Sequence, residues 1–238
     1  MHSSSQNEIS VRCQTCFLNK LGFFCNLDPV AAKDLEMIKH PSYYSSGAVL
    51  FLEKQSNRGI YVLCSGKVKL SISSSGGKTL TLRIAKPGEI LGLTAAISGL
   101  ANESSAETLE PCHVELVRSV DFTHFIQKHP EAYQAMVRQL TSQYSDSCEQ
   151  MRTICLAASS REKLARLLLH WSSEGRERSD GMRLQVPLTH EQIAECVGST
   201  RETITRTLSD FKAHHLVTLK GATITIPNIA ALQAVAGA

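Results

Sequence analysis

Two sets of side chains in this sequence have the types and spacing to do chemistry. The first is a polar stripe near the C-terminus: Arg201, Glu202, Thr205 and Arg206. Positions spaced this way share one side of an α-helix. Arginine can donate two parallel hydrogen bonds to guanine O6 and N7, and a carboxylate can accept from cytosine N4. The second set is thiol: Cys13 and Cys16 in a C-x-x-C, then Cys25, and Cys112 next to His113. Thiolates bind zinc or iron-sulfur clusters and exchange reversibly with disulfides. A C-x-x-C alone is a weak signal, because a closed site wants four ligands. A packing role for Cys25 among Phe17, Leu21, Phe23 and Phe24 stands beside it.

The elements that must position the stripe are legible around it. Thr189 with Gln192, and Ser199 with Glu202, each have the spacing of a capping box, predicting two short helices. Gly198 falls where the chain turns between them, a place for positive φ. Ile193 and Val197 of the first helix and Ile204, Leu208 and Phe211 of the second recur at helical spacing and close one small core. The stripe is then left facing away, the logic of a helix-turn-helix. Strand-like runs follow at 216–219 and 223–226 around a Lys220-Gly221 turn, ended by Pro227, and predict a wing. Ordinary solvated charges on a surface helix are the competing reading.

The run Ser199-Thr-Arg-Glu-Thr-Ile-Thr-Arg-Thr-Leu208 resembles the recognition helix of the Crp/Fnr superfamily (cyclic-AMP receptor / fumarate-nitrate regulator), and the resemblance extends from about Leu27 to Ile226. It implies an α+β chain. Its N-terminal part would be a cyclic-nucleotide-binding-like β-barrel of jelly-roll type, followed by a long dimerisation helix and a C-terminal winged helix-turn-helix. It also implies a regulator, not an enzyme, with double-stranded DNA, a second copy of itself and RNA polymerase as partners. The DNA contacts it implies come from Thr189, Ser199, Thr200, Arg201, Glu202, Thr205, Arg206 and Lys220. Arg201, Glu202 and Arg206 match the base-reading set of the cyclic-AMP receptor branch. The oxygen-sensing branch has an apolar residue in place of Arg201 and a serine in place of Thr205. A TGTGA-type half-site is therefore expected rather than TTGAT.

The oxygen-sensing branch binds a [4Fe-4S] cluster through a C-x-x-C, a third cysteine, and a fourth inside the barrel. Here the corresponding set would be Cys13, Cys16, Cys25 and Cys112. An ungapped alignment from Leu27 puts Gly22 on the third ligand position and Glu115 on the fourth. Cys112 lies three residues before Glu115, and an odd offset on a strand reverses the face. Zinc, or a disulfide between Cys16 and Cys25, stays open. The segment Pro87-Gly88-Glu89-Ile90-Leu91-Gly92-Leu93 resembles the family's phosphate cassette. However, no Lys or Arg occurs between Lys86 and Arg118. Leu93 stands where a ribose-binding glutamate belongs, and Ser104 roughly where the phosphate-binding arginine belongs. Ser105 and Ala106 match the family, but one hydroxyl is a poor substitute for a guanidinium. Cyclic AMP is therefore not the expected ligand.

Bulk properties fit this reading without forcing it. The chain has 238 residues, a formal net charge of only +3, and eight cysteines. That length suits two domains. The charge is too small to announce nucleic acid by itself, so affinity must come from a few placed contacts. The first dozen residues lack the apolar run of a signal peptide and no stretch could span a bilayer, giving a cytoplasmic expectation with no membrane partner. Cysteines in that compartment point to metal or redox chemistry more than to structural disulfides.

The predicted organisation is a cysteine-containing segment (1–26), barrel (27–121), dimerisation helix (122–158) and DNA-binding domain (159–238). Asp28-Pro29 opens a short helix, and short strands separated by glycine turns fill 48–120. From Phe122 to about Ala157 one long helix is expected, with Pro130 near its start. Tyr133, Val137, Leu140, Tyr144, Cys148 and Met151 recur there at near-heptad spacing, the pattern of a dimer seam. Another capping box, Ser159 with Glu162, begins the next helix. Residues 174–181 read as a loop and 230–238 as a small-residue tail. A dithiol redox enzyme built on the C-x-x-C lacks the strand-helix context such a motif needs, and a constitutive regulator without an effector is the closer rival.

Overall fold

The computed structural model describes residues 27–173 and 175–237. Contacts divide the chain into two units, one reaching to Ile72 and resuming at Ile84–Ser145, the other comprising Ser73–Arg83 and the chain from Asp146 onward.

The first unit opens with helix α1 (Pro29–Ile38), whose N-cap Asp28 accepts from the amides of Val30 and Ala31 at 2.7 and 2.9 Å. Strands β1 (His40–Tyr44), β2 (Val49–Phe51), β3 (Gly59–Ser65), β4 (Val68–Ser73) and β6 (Ile90–Leu91) follow, while β5 (Thr79–Ala85) falls mostly in the stretch counted with the second unit. After helix α2 (Leu93–Ser98) come β7 (Ser105–Thr108) and β8 (Cys112–Arg118). They form two four-stranded sheets, ordered β1-β8-β3-β6 and β2-β7-β4-β5.

Leu50, Leu63, Val68, Leu70, Ala106, Cys112 and Val114 make one core of this unit. A second core joins Ala31 and Leu35 of α1 to Ile60, Val117, Phe122 and Phe125. Along β8 burial alternates from Cys112 to Glu115, the mark of a strand covered on one face and half-open on the other.

The long helix is divided. Helix α3 (Ser119–Lys128) ends before Pro130, and α4 runs from Glu131 to Leu156. Proline lacks an amide proton and forces its predecessor away from helical ψ; His129 sits at φ −123, ψ 78. The break is held to α1. His129 Nε2 lies 2.8 Å from Asp34 Oδ2, and Lys128 Nζ 2.6 Å from the same oxygen. These two partners hold the Asp34 carboxyl below its ordinary pKa, Lys128 contributing most.

The second unit holds α5 (Ser160–Ser172), β9 (Arg176–Arg178), β10 (Gly181–Gln185), α6 (His190–Val197), α7 (Arg201–Ala213), β11 (Thr218–Lys220), β12 (Thr223–Ile226) and α8 (Ile229–Ala236). Two expectations change here. The stretch read as a loop contains the β9–β10 hairpin, completing a sheet ordered β11-β12-β10-β9. Its first strand is fully exposed and charged, so no apolar alternation announced it. The tail is a helix: Asn228 caps α8, whose Leu232 and Ala236 join the core around Leu164, Leu168, Ile204 and Phe211. Ser159 caps α5 by accepting from the Glu162 amide, but the Glu162 carboxylate reaches the amide of Ala158, so the reciprocal half of that box lands one residue early.

Candidate nucleic-acid interface

Helices α6 and α7 are short, and each terminus is satisfied locally. Thr189 and Gln192 form the full capping box of α6, Oγ1 accepting from the Gln192 amide at 3.2 Å and Oε1 from the Thr189 amide at 2.9 Å. At the other end Gly198 has φ 62, and both its own amide and that of Ser199 donate to Ala194 O. Left-handed backbone costs other residues about 1–2 kcal/mol, so glycine suits this corner.

The same arrangement corrects the second cap. Ser199 belongs to the end of α6, and its hydroxyl lies 3.2 Å from that of Ser160. Thr200 is the N-cap of α7, accepting from the Thr203 amide at 3.3 Å. Four amides at this helix start lack helical partners, which favours a phosphate nearby.

Ile204, Leu208 and Phe211 of α7 are almost completely buried against Ile193 and Val197 of α6. Arg201, Glu202, Thr205 and Arg206 are all exposed. With about 100° per residue these four span an arc of roughly 140° on the opposite side of the helix. No ion pair joins Arg201, Glu202 or Arg206 to another side chain among the described residues. Thr205 differs from its neighbours, because its hydroxyl donates to Arg201 O at 2.9 Å and lies 2.8 Å from His190 Nδ1. It braces the start of α6 against the middle of α7. Lys220 is exposed at the end of β11, at the tip of the wing.

Two residues with structural roles here escaped the sequence reading. His190 is one. The other is Arg161 of α5, which ion-pairs with Asp210 and sits 5.1 Å over the Phe211 ring, locking the buried side of α7. Only spatial proximity joins residues so far apart in sequence.

Two family models match. A Crp-like helix-turn-helix domain covers residues 162–235 and a cyclic nucleotide-binding domain covers 41–129. The chain belongs to the Crp/Fnr superfamily of DNA-binding transcription regulators. Among relatives of this Crp/Fnr regulator, a CRP-like cAMP-activated global transcriptional regulator of Mycobacterium tuberculosis is 24% identical over 88% of this chain and 93% of its own. A fumarate and nitrate reduction regulatory protein of Vibrio cholerae is 26% identical over 96% and 91%. In fold it is similar to FixK2 from Bradyrhizobium japonicum, with TM-score 0.73 and 18% identity over 83% of this chain and 97% of that one.

The remaining residues singled out in the sequence of this regulator fall as follows. Cys13, Cys16 and Cys25 lie outside the described residues. Cys112 is buried, and its thiol contacts Glu110 O at 3.2 Å and Lys67 O at 3.5 Å. Burial pushes its pKa up, disfavouring the thiolate a metal needs. The backbone of Gly66 crowds it so closely that an added Cβ would stand 2.5 Å from its sulfur. Cys112 therefore does not fit as a cluster ligand.

Of the cassette residues, Leu93 and Ser104 are buried, and the Ser105 hydroxyl already accepts from the Glu53 amide at 2.9 Å. On α4, Tyr133, Val137, Tyr144 and Met151 are exposed, Cys148 is half-buried, and Leu140 packs partly on the second core of the first unit. Among the described residues no helix is long and apolar enough to cross a membrane.

Thr200→Ala is expected to cost about 1 kcal/mol of stability, the usual worth of an N-cap. Ser199→Ala should cost markedly less. Urea unfolding of both variants tests the assignment, and equal losses would return the cap to Ser199.

Proposed function

We propose that this Crp/Fnr-type regulator acts as a homodimer reading a TGTGA-like palindrome with α7, and that its N-terminal cysteines make it redox- or oxygen-responsive. The observation that carries the DNA reading is the shared, exposed face of Arg201, Glu202 and Arg206, none of them in an ion pair with another described side chain. Two guanidinium groups suit the two guanines of the half-site, and the carboxylate suits a cytosine of the opposite strand. The N-terminal ends of α6 and α7, with the exposed Thr189, Thr200 and Lys220, supply backbone contacts that set register.

A weakly charged module binds tightly when doubled, because two recognition helices then meet half-sites one helical turn apart. The support for doubling is α4, where Val137, Tyr144 and Met151 expose 59%, 72% and 56% of their surface at seven-residue intervals. An apolar stripe of that period matches a coiled-coil seam. RNA polymerase as a further partner rests on the family alone.

For the sensor, the support is compositional: three cysteines within the first 26 residues, two of them as C-x-x-C. Thiolates in that pattern hold an iron-sulfur cluster or zinc, or form a disulfide. With Cys112 enclosed, the set to test is Cys13, Cys16 and Cys25. A regulator that answers to another effector, or to none, is the second reading, favoured by the fit failure of Cys112.

In gel shifts on a TGTGA palindrome, Arg206→Ala abolishes specific binding. Arg201→Ala relaxes one base pair at a cost of about 1–3 kcal/mol. Parent-like shifts from both variants would remove α7 from base reading. Val137→Glu combined with Tyr144→Glu converts the sedimenting species from dimer to monomer; an unchanged dimer would place the interface elsewhere. Anaerobic reconstitution is expected to load iron and sulfide into the parent protein and not into Cys13→Ser, as read by absorbance and iron analysis. Equal iron in both excludes the cluster.

A further inference from the structure

The outer face of β8 carries groups that the DNA-reading function does not use. Cys64 of β3 and His113 and Glu115 of β8 bring their Sγ, imidazole nitrogen and carboxylate oxygen within 4.8 Å of one another. All three are half-buried. His113 Nε2 is enclosed and has no hydrogen-bond partner among the described residues, an expensive arrangement for a ring nitrogen. The ring is also held in orientation, stacked on Tyr43 at 4.6 Å and 11°.

The strand geometry aims the third group. The β3–β8 register pairs Leu63 with Val114 but Ser65 with His113, so Cys64 is the extra residue of a bulge. Bulges redirect a side chain at the cost of a ladder bond, and they recur beside functional sites. Cys64 Sγ also makes a long contact to Val62 O, at 3.7 Å.

We propose that Cys64, His113 and Glu115 form a binding site for one divalent cation of the zinc class. A thiolate, an imidazole and a carboxylate are the ligand types such an ion takes, and three protein ligands leave a fourth position for water or a further ligand. Ligand atoms around tetrahedral zinc stand about 3.5 Å apart, so the site closes by roughly 1 Å. On binding, the Cys64 thiol releases its proton to solvent and the ion takes its place.

A cation already occupies one edge of the cluster. Lys39 Nζ lies 2.7 Å from Glu115 Oε2 and 2.8 Å from Glu36 Oε2. Metal must displace it from Glu115, leaving it with Glu36, so Lys39 competes with the ion. The site uses none of the N-terminal cysteines, which makes it independent of the sensor proposed above. It would give the first unit a metal input at the end of α1.

The test uses the full chain carrying Cys13→Ser, Cys16→Ser and Cys25→Ser, titrated with Co2+ as the spectroscopic probe. A single equivalent should raise a thiolate-to-cobalt charge-transfer band with the visible bands of a tetrahedral ion, both erased by Zn2+. Adding Cys64→Ser should remove the charge-transfer band. His113→Ala and the milder Glu115→Gln should each weaken binding at least about tenfold with unchanged circular dichroism. Lys39→Met should tighten it. No cobalt binding by the triple variant, or a charge-transfer band that survives Cys64→Ser, overturns the proposal. If His113→Ala does not fold, the Glu115→Gln and Cys64→Ser results decide alone.

Discussion

The burial of three side chains on one side of α7 governs what the other side can do. Ile204, Leu208 and Phe211 are sealed into the core of the second unit, and each such burial is worth about 1.5–3 kcal/mol. The sequence around them is poor helix material: Thr203, Thr205, Thr207 and Ser209 each sacrifice up to about 0.7 kcal/mol relative to alanine. Burial outweighs that deficit. The hydroxyls of Thr205, Thr207 and Ser209 fold back onto the carbonyls one turn earlier, at 2.8–2.9 Å, a back-bonding that slightly weakens a helix and that burial also has to outweigh. Once the helix is docked, its period leaves Arg201, Glu202 and Arg206 no place but solvent. Arg161 adds a lateral lock through Asp210 and Phe211.

Strand parity plays the corresponding part in the first unit. Cys112 and Val114 point into the core, and His113 and Glu115 to the opposite face. A thiol at an odd offset from the family's ligand position therefore ends up enclosed, while the group on the ligand position, Glu115, stands outside with His113. The odd offset was visible in the sequence. That Cys64 would join them was not, because a bulge changes register without leaving a signature in residue types.

Helix α4 shows how a local rule and an unmet surface coexist. Pro130 could only have been tolerated at a helix start, and the chain satisfies it by ending α3 at Lys128 and beginning α4 at Glu131. His129, pinned by Asp34, fixes that break to α1. Further along α4, apolar side chains recur at seven-residue spacing and remain exposed, which is costly in water.

By itself, the sequence determined the elements whose causes are local. The capping box at Thr189, the turn at Gly198, the period that separates core from stripe on α7, and the wing around Gly221 could all be read from neighbouring residues. The resemblance of 199–208 to a known recognition helix was equally plain. Tertiary structure decided what depends on distant partners. It moved the α7 cap to Thr200, because Ser199 completes α6. It paired the charged β9 with β10, and it turned the tail into α8 by offering its apolar residues a core. It also enclosed Cys112 and gathered Cys64, His113 and Glu115 from two strands. Periodicity records which side of an element is apolar, but only packing records what that side meets.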